Sequence, residues 1–101
     1  MMRGLITLSS LALVAGCMAL PPQGIEEERR AAYVAAVSSI GCVLHGESDY
    51  LPVELQAGLT REEAIQMTQY HLANGSAVKM SDGSVKLVTG GCAENAETPA
   101  S

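Results

Sequence analysis

The chain has 101 residues, and six Lys and Arg against eleven Asp and Glu leave a net charge of −5. That length limits it to one small domain, and the acidic balance repels nucleic-acid phosphates and anionic lipid heads. Three tyrosines are the only aromatics. A domain of this size buries only about 60% of its unfolded surface and is marginal without a covalent staple.

Residues 1–16 have the three parts of a secretory signal: Arg3 in a short positive start, an apolar run over residues 4–13, and the small residues Ala15 and Gly16 at a cleavage point. The apolar run is well short of the roughly 20 residues a spanning helix needs. The stretch Leu13-Val14-Ala15-Gly16-Cys17 resembles the lipobox of bacterial lipoproteins. The resemblance implies cleavage before Cys17, a diacylglyceryl group on its thiol and an acylated amino terminus. One acyl chain binds a bilayer only marginally, whereas several together make the attachment permanent. Met18, where this family's inner-membrane proteins carry Asp, implies the periplasmic leaflet of the outer membrane. Loss of residues 1–16 leaves 85 residues with five basic and eleven acidic side chains, a net charge of −6.

With Cys17 committed to lipid, Cys42 and Cys92 remain as an even pair, and an oxidising compartment favours a disulfide between them. In the chain-entropy model, closing a loop of about 51 residues contributes about 4 kcal/mol. Neither cysteine lies in a Cys-x-x-Cys pair, so the expected role is structural rather than redox.

Residues 17–24 form a linker broken by Pro21 and Pro22, with a reach of about 25–30 Å. A first helix is expected over residues 25–40, with Glu26, Glu27 and Glu28 favouring its dipole and Tyr33, Val34, Val37 and Ile40 as its apolar face. Ala31, Ala32, Ala35 and Ser39 lie opposite, and helix propensity accounts for them. Gly41 suits the helix end. Residues 42–44 read as a short strand. Ser48 or Asp49 is expected to cap a second helix reaching Ala57, with Pro52 tolerated only in its first turn.

Gly58 closes that helix, and Thr60-Arg61-Glu62-Glu63 has the spacing of a capping box. The third helix is expected to turn Ala64, Ile65, Thr68 and Leu72 inward and to stop at Asn74-Gly75. Residues 76–80 and 84–89 read as a hairpin around a two-residue Asp82-Gly83 turn. That register sets Met80 opposite Val85, Val78 opposite Leu87, and Lys79 opposite Lys86. Residues 93–101 have the composition of a disordered tail.

Helix, short strand, helix, helix and hairpin give an α+β domain over residues 25–92 with the element order of a winged helix. In that arrangement the first strand pairs antiparallel with the last, which brings Cys42 and Cys92 together. The segment from Arg29 to Cys92 also resembles a group of small bacterial lipoproteins, through Gly41-Cys42, the Gly58 to Glu63 helix start and Gly91-Cys92. The resemblance implies a fold and a location but no catalytic residue.

Little in the chain points to catalysis. No serine sits in a Gly-x-Ser-x-Gly context, and the acid pairs belong to helix starts. His45 and His71 lack the close spacing of metal-ligand pairs, so no metal or other cofactor is expected. The outward face of the third helix presents Glu62, Gln66, Gln69 and Ala73. Glutamine reads adenine, but phosphate contacts need Lys or Arg, and an exported acidic domain is not expected to bind nucleic acid. The expectation is therefore a lipid-anchored, non-catalytic interaction module of the envelope, with Glu62, Gln66, Gln69 and Tyr70 facing a protein partner. A small periplasmic metal- or ligand-binding domain is the alternative.

Overall fold

The computed structural model describes residues 20–96. Three helices pack on a small antiparallel sheet, an α+β architecture: α1 (Glu27–Ser39), β1 (Val43–Leu44), α2 (Glu47–Ala57), α3 (Arg61–Ala73), β2 (Ala77–Lys79), β3 (Val85–Leu87) and a closing 3-10 helix (Gly90–Ala96). The sheet order is β1-β3-β2, so the first strand pairs with the last. The core is aliphatic around one aromatic ring: Tyr33, Val37, Val53, Met67 and Leu87 are fully buried. The Tyr33 hydroxyl meets Thr68 Oγ1 at 2.6 Å, and Tyr50 donates to the same oxygen at 3.0 Å. Thr68 passes its own proton to the Ala64 carbonyl at 3.1 Å. Burial raises the Tyr33 phenol well above its ordinary pKa.

The capping box at the start of α3 forms as expected: Thr60 Oγ1 accepts from the Glu63 N–H at 3.0 Å, and Glu63 Oε1 accepts from the Thr60 N–H at 3.1 Å. α2 differs from expectation at its start. Gly46 is its N-cap, and Asp49 turns back to accept from the His45 backbone N–H at 2.7 Å. Pro52 lies in the second turn, not the first. The helix hydrogen bond it forgoes is to the carbonyl of Ser48, an exposed residue.

The buried face of α3 is Ala64, Met67, Thr68 and His71. Ile65, expected inside, is exposed, and Leu72 is half-buried. The face is rotated because Met67 and His71 reach the core below α1, where Tyr33 already fills the centre. The hairpin register also differs by one residue. Ala77 pairs with Leu87, Val78 with Lys86 and Lys79 with Val85. Three residues, not two, make the turn: the Gly83 N–H donates to the Met80 carbonyl at 3.0 Å, and Gly83 itself takes φ +90°. A three-residue loop with a left-handed third residue is the next commonest hairpin connection. The slip turns β2 over while leaving β3 in place. Ala77 now packs inward beside Leu87, Val78 faces solvent, and the two lysines no longer share a face.

After α1 the chain reverses through two left-handed residues, Gly41 at φ +103° and Cys42 at φ +72°. The Cys42 N–H donates to the Val37 carbonyl at 2.9 Å, and its own carbonyl accepts from the Leu87 N–H at 2.8 Å. Cys42 is bonded to Cys92 with Cα atoms 5.7 Å apart. The 3-10 helix carries the chain through residues 93–96, the start of the expected tail, while residues 97–101 lie outside those described. Its glycines permit close approach to α1, since a Cβ at Gly91 would stand 2.7 Å from Ser38 Oγ.

Candidate functional site

Cys17, the expected lipidation residue, lies outside the described residues, as do residues 1–16. The described part of the linker ends in a fixed position. Arg29 donates to the Gly24 carbonyl at 2.8 Å and the Gly58 carbonyl at 3.1 Å, and pairs with Glu63 at 2.9 Å and Glu26 at 3.1 Å. Arg30 donates to the Ile25 carbonyl at 2.7 Å. The chain is thus fastened from Gly24 onward. Only Glu26, three residues away, was a sequence signal for this hub; Gly58 and Glu63 are 29 and 34 residues distant. The Thr60 N–H, followed by Arg29, holds the Glu63 carboxyl below its ordinary pKa.

The expected partner face is assembled in part. Glu62, Gln66 and Gln69 are exposed on the outer side of α3. Tyr70 is half-buried beside them and turns its ring edge toward His71, with centroids 5.2 Å apart. Its aromatic surface is thus partly spent inside the domain. Sequence reasoning missed the exposed Ile65 on the other flank of that face, because the apolar period of α3 favours it as a core residue.

Of the two histidines, His45 is exposed and its ring meets Asp49 at 3.0 Å. His71 is buried, stacked on Tyr33 with centroids 5.5 Å apart and planes 8° from parallel. His71 Nδ1 lies 2.6 Å from Ser76 Oγ, and Ser76 Oγ also contacts Asn74 Oδ1. An amide oxygen only accepts, so the Ser76 proton goes to Asn74 and His71 Nδ1–H donates to Ser76. That leaves Nε2 as a bare lone pair, buried without a partner. Burial lowers the His71 pKa.

A histidine–serine pair at this distance suggests a base and a nucleophile. Here the serine proton is committed to Asn74 and, among the described residues, no carboxylate contacts the ring, so the group fastens the turn between α3 and β2. Among the described residues no group of three His, Cys, Asp or Glu is placed to hold a metal. An open depression where the linker joins α1 is lined by Pro21, Pro22, Gly24 and Ile25 together with the polar Gln23, Glu26 and Arg30. Compared with protein-family models, curated proteins and solved structures, the chain finds no match in any of the three.

Proposed function

We propose that this protein is a bacterial lipoprotein, anchored through Cys17 to the periplasmic side of the envelope, and that its domain is a non-catalytic interaction module. The observation that carries the reading is Leu13-Val14-Ala15-Gly16-Cys17 behind a short apolar segment. The acidic surface and the Cys42–Cys92 bond are consistent with an oxidising, extracytoplasmic setting. Outer-membrane retention follows from Met18 in the same reading. The element order and the β1–β3 pairing support a winged-helix-like description of the domain. The outer face of α3 carries Glu62 and neither Lys nor Arg, the opposite of what a phosphate backbone requires. The module offers surface rather than a pocket, and the α3 face bearing Glu62, Gln66, Gln69 and Tyr70 is its proposed partner side.

Intact mass of membrane-extracted protein tests the anchor. Loss of residues 1–16 together with acyl mass is expected, and Cys17→Ala removes both. Wild-type protein recovered in a soluble fraction without acyl mass refutes the lipoprotein reading.

A further inference from the structure

We propose that the seam between α2 and α3 docks a basic, amphipathic segment of a partner protein, with Leu51, Leu55 and Ile65 as the apolar centre of the contact. This rests on the interaction-module reading and moves its centre away from Tyr70. Among the described residues five large hydrophobic side chains remain exposed, and three lie on α2 and α3: Leu55 at 75%, Leu51 at 52% and Ile65 at 39%. Leu51 and Leu55 are one turn apart on α2, and Ile65 is one turn beyond Arg61 on α3, so each pair shares a helix face.

Arg61 ties the two helices together. Its guanidinium pairs with Glu54 and, at 3.1 Å, with Glu47. Those two acids bracket Leu51 on α2 at four residues before and three after. Leu51 thus shares α2 with the two acids that hold Arg61, Ile65 follows Arg61 by one turn on α3, and Leu55 follows Leu51 by one turn on α2. The rim is acidic. The Glu47 side chain is 82% exposed even while paired, and Glu62 is exposed with no ion pair among the described residues. Two carboxylates thus hold one guanidinium, and Glu62 adds a further charge beside it in sequence.

That charge selects the occupant. A second copy would bring the same acidic rim, and an anionic bilayer is repelled as well. A helix with apolar side chains three and four residues apart, flanked by Lys or Arg, satisfies both the apolar centre and the rim.

The test places a photo-reactive residue at Leu55, Tyr70 or Val78 in the full chain, expressed in its own cells, and sequences the captured segments by mass spectrometry. Val78 is exposed but lies on the sheet. Adducts at Leu55 are expected about tenfold above those at Val78, since binding energy concentrates in central apolar contacts. The captured segment is expected to be basic, with apolar residues at helical spacing. Glu62→Lys and Glu47→Lys should each lower the Leu55 yield about threefold by spoiling charge complementarity. Protein adducts at Tyr70 or Val78 with none at Leu55 overturn the seam and leave the module reading standing. No protein adduct at any of the three positions removes both. A second copy, a lipid or an acidic segment captured at Leu55 overturns the proposed occupant.

Discussion

Two poles of the domain are held by different physics. At one pole the start of α1 meets the α2–α3 turn and the start of α3, joined by Arg29, Glu63, Thr60 and the Arg61 pairs, most of them near solvent with Glu54 largely covered. At the other, the Cys42–Cys92 bond and the buried His71 ring fasten helix ends to the sheet. Polar groups at the first pole are satisfied several times over, so each contact contributes modestly and is replaceable. At the second, one covalent bond and one ring each act alone, and nothing nearby substitutes for them. A small domain with few aromatics gains most of its rigidity where water is excluded.

The contrast predicts unequal responses. The largest belongs to the disulfide. Cys92→Ser, or reduction of the wild type, should destabilise the domain by about 2–5 kcal/mol in denaturant titration. Cys42 also occupies a left-handed conformation that non-glycine residues adopt only under constraint. A change below 1 kcal/mol (roughly the worth of an ordinary cap) would make the two poles equivalent.

Next comes acid. Folding lowers the His71 pKa below its ordinary 6.5, so the unfolded chain binds the proton more readily than the folded one. Stability is then complete above 6.5 and declines as pH falls from there toward the lowered folded value. Melting temperature followed from about pH 7 to 5 should drop, and His71→Phe should flatten that part of the profile. An NMR titration placing His71 above 6.5 contradicts the burial argument. The charged pole responds in a separate window. Glu63 is held below its ordinary 4.5, so its contribution is present above that value and is lost as pH falls below it. Salt should weaken this lower step and leave the His71 step unchanged, because buried groups are little screened.

The smallest effects are expected from single substitutions at the charged pole. Thr60→Ala should cost about 1 kcal/mol, the usual worth of a side-chain cap. Arg29→Gln should cost less and should fade further in high salt, since exposed ion pairs are screened. A double-mutant cycle between Arg29 and Glu63 in denaturant measures the coupling directly. Strong coupling that survives high salt would show this pole to be as rigid as the other.

The sequence by itself determined what acts within a few residues. Thr60 and Glu63 cap α3 because their side chains need only the adjacent backbone, and Gly41 and Gly58 end helices because the chain must turn left-handed there. The order of the elements was legible for the same local reasons, and the cysteine pair by count, since committing Cys17 to lipid leaves Cys42 and Cys92. Only the tertiary structure decided the hairpin register. Asp82-Gly83 suits a two-residue or a three-residue turn, and the choice was made by Ala77 and Leu87 packing inward and by the Val88 N–H donating to the Ser76 carbonyl at 2.8 Å. It likewise decided that His71 and Met67, not Ile65 and Leu72, fill the space beneath Tyr33, and that Arg29 joins four partners from three parts of the chain. An apolar period fixes which residues share a helix face, but rotation about the helix axis is set by the volume its neighbours leave. That rotation exposes Ile65, and with Leu51 and Leu55 it defines the patch on which the proposed docking depends.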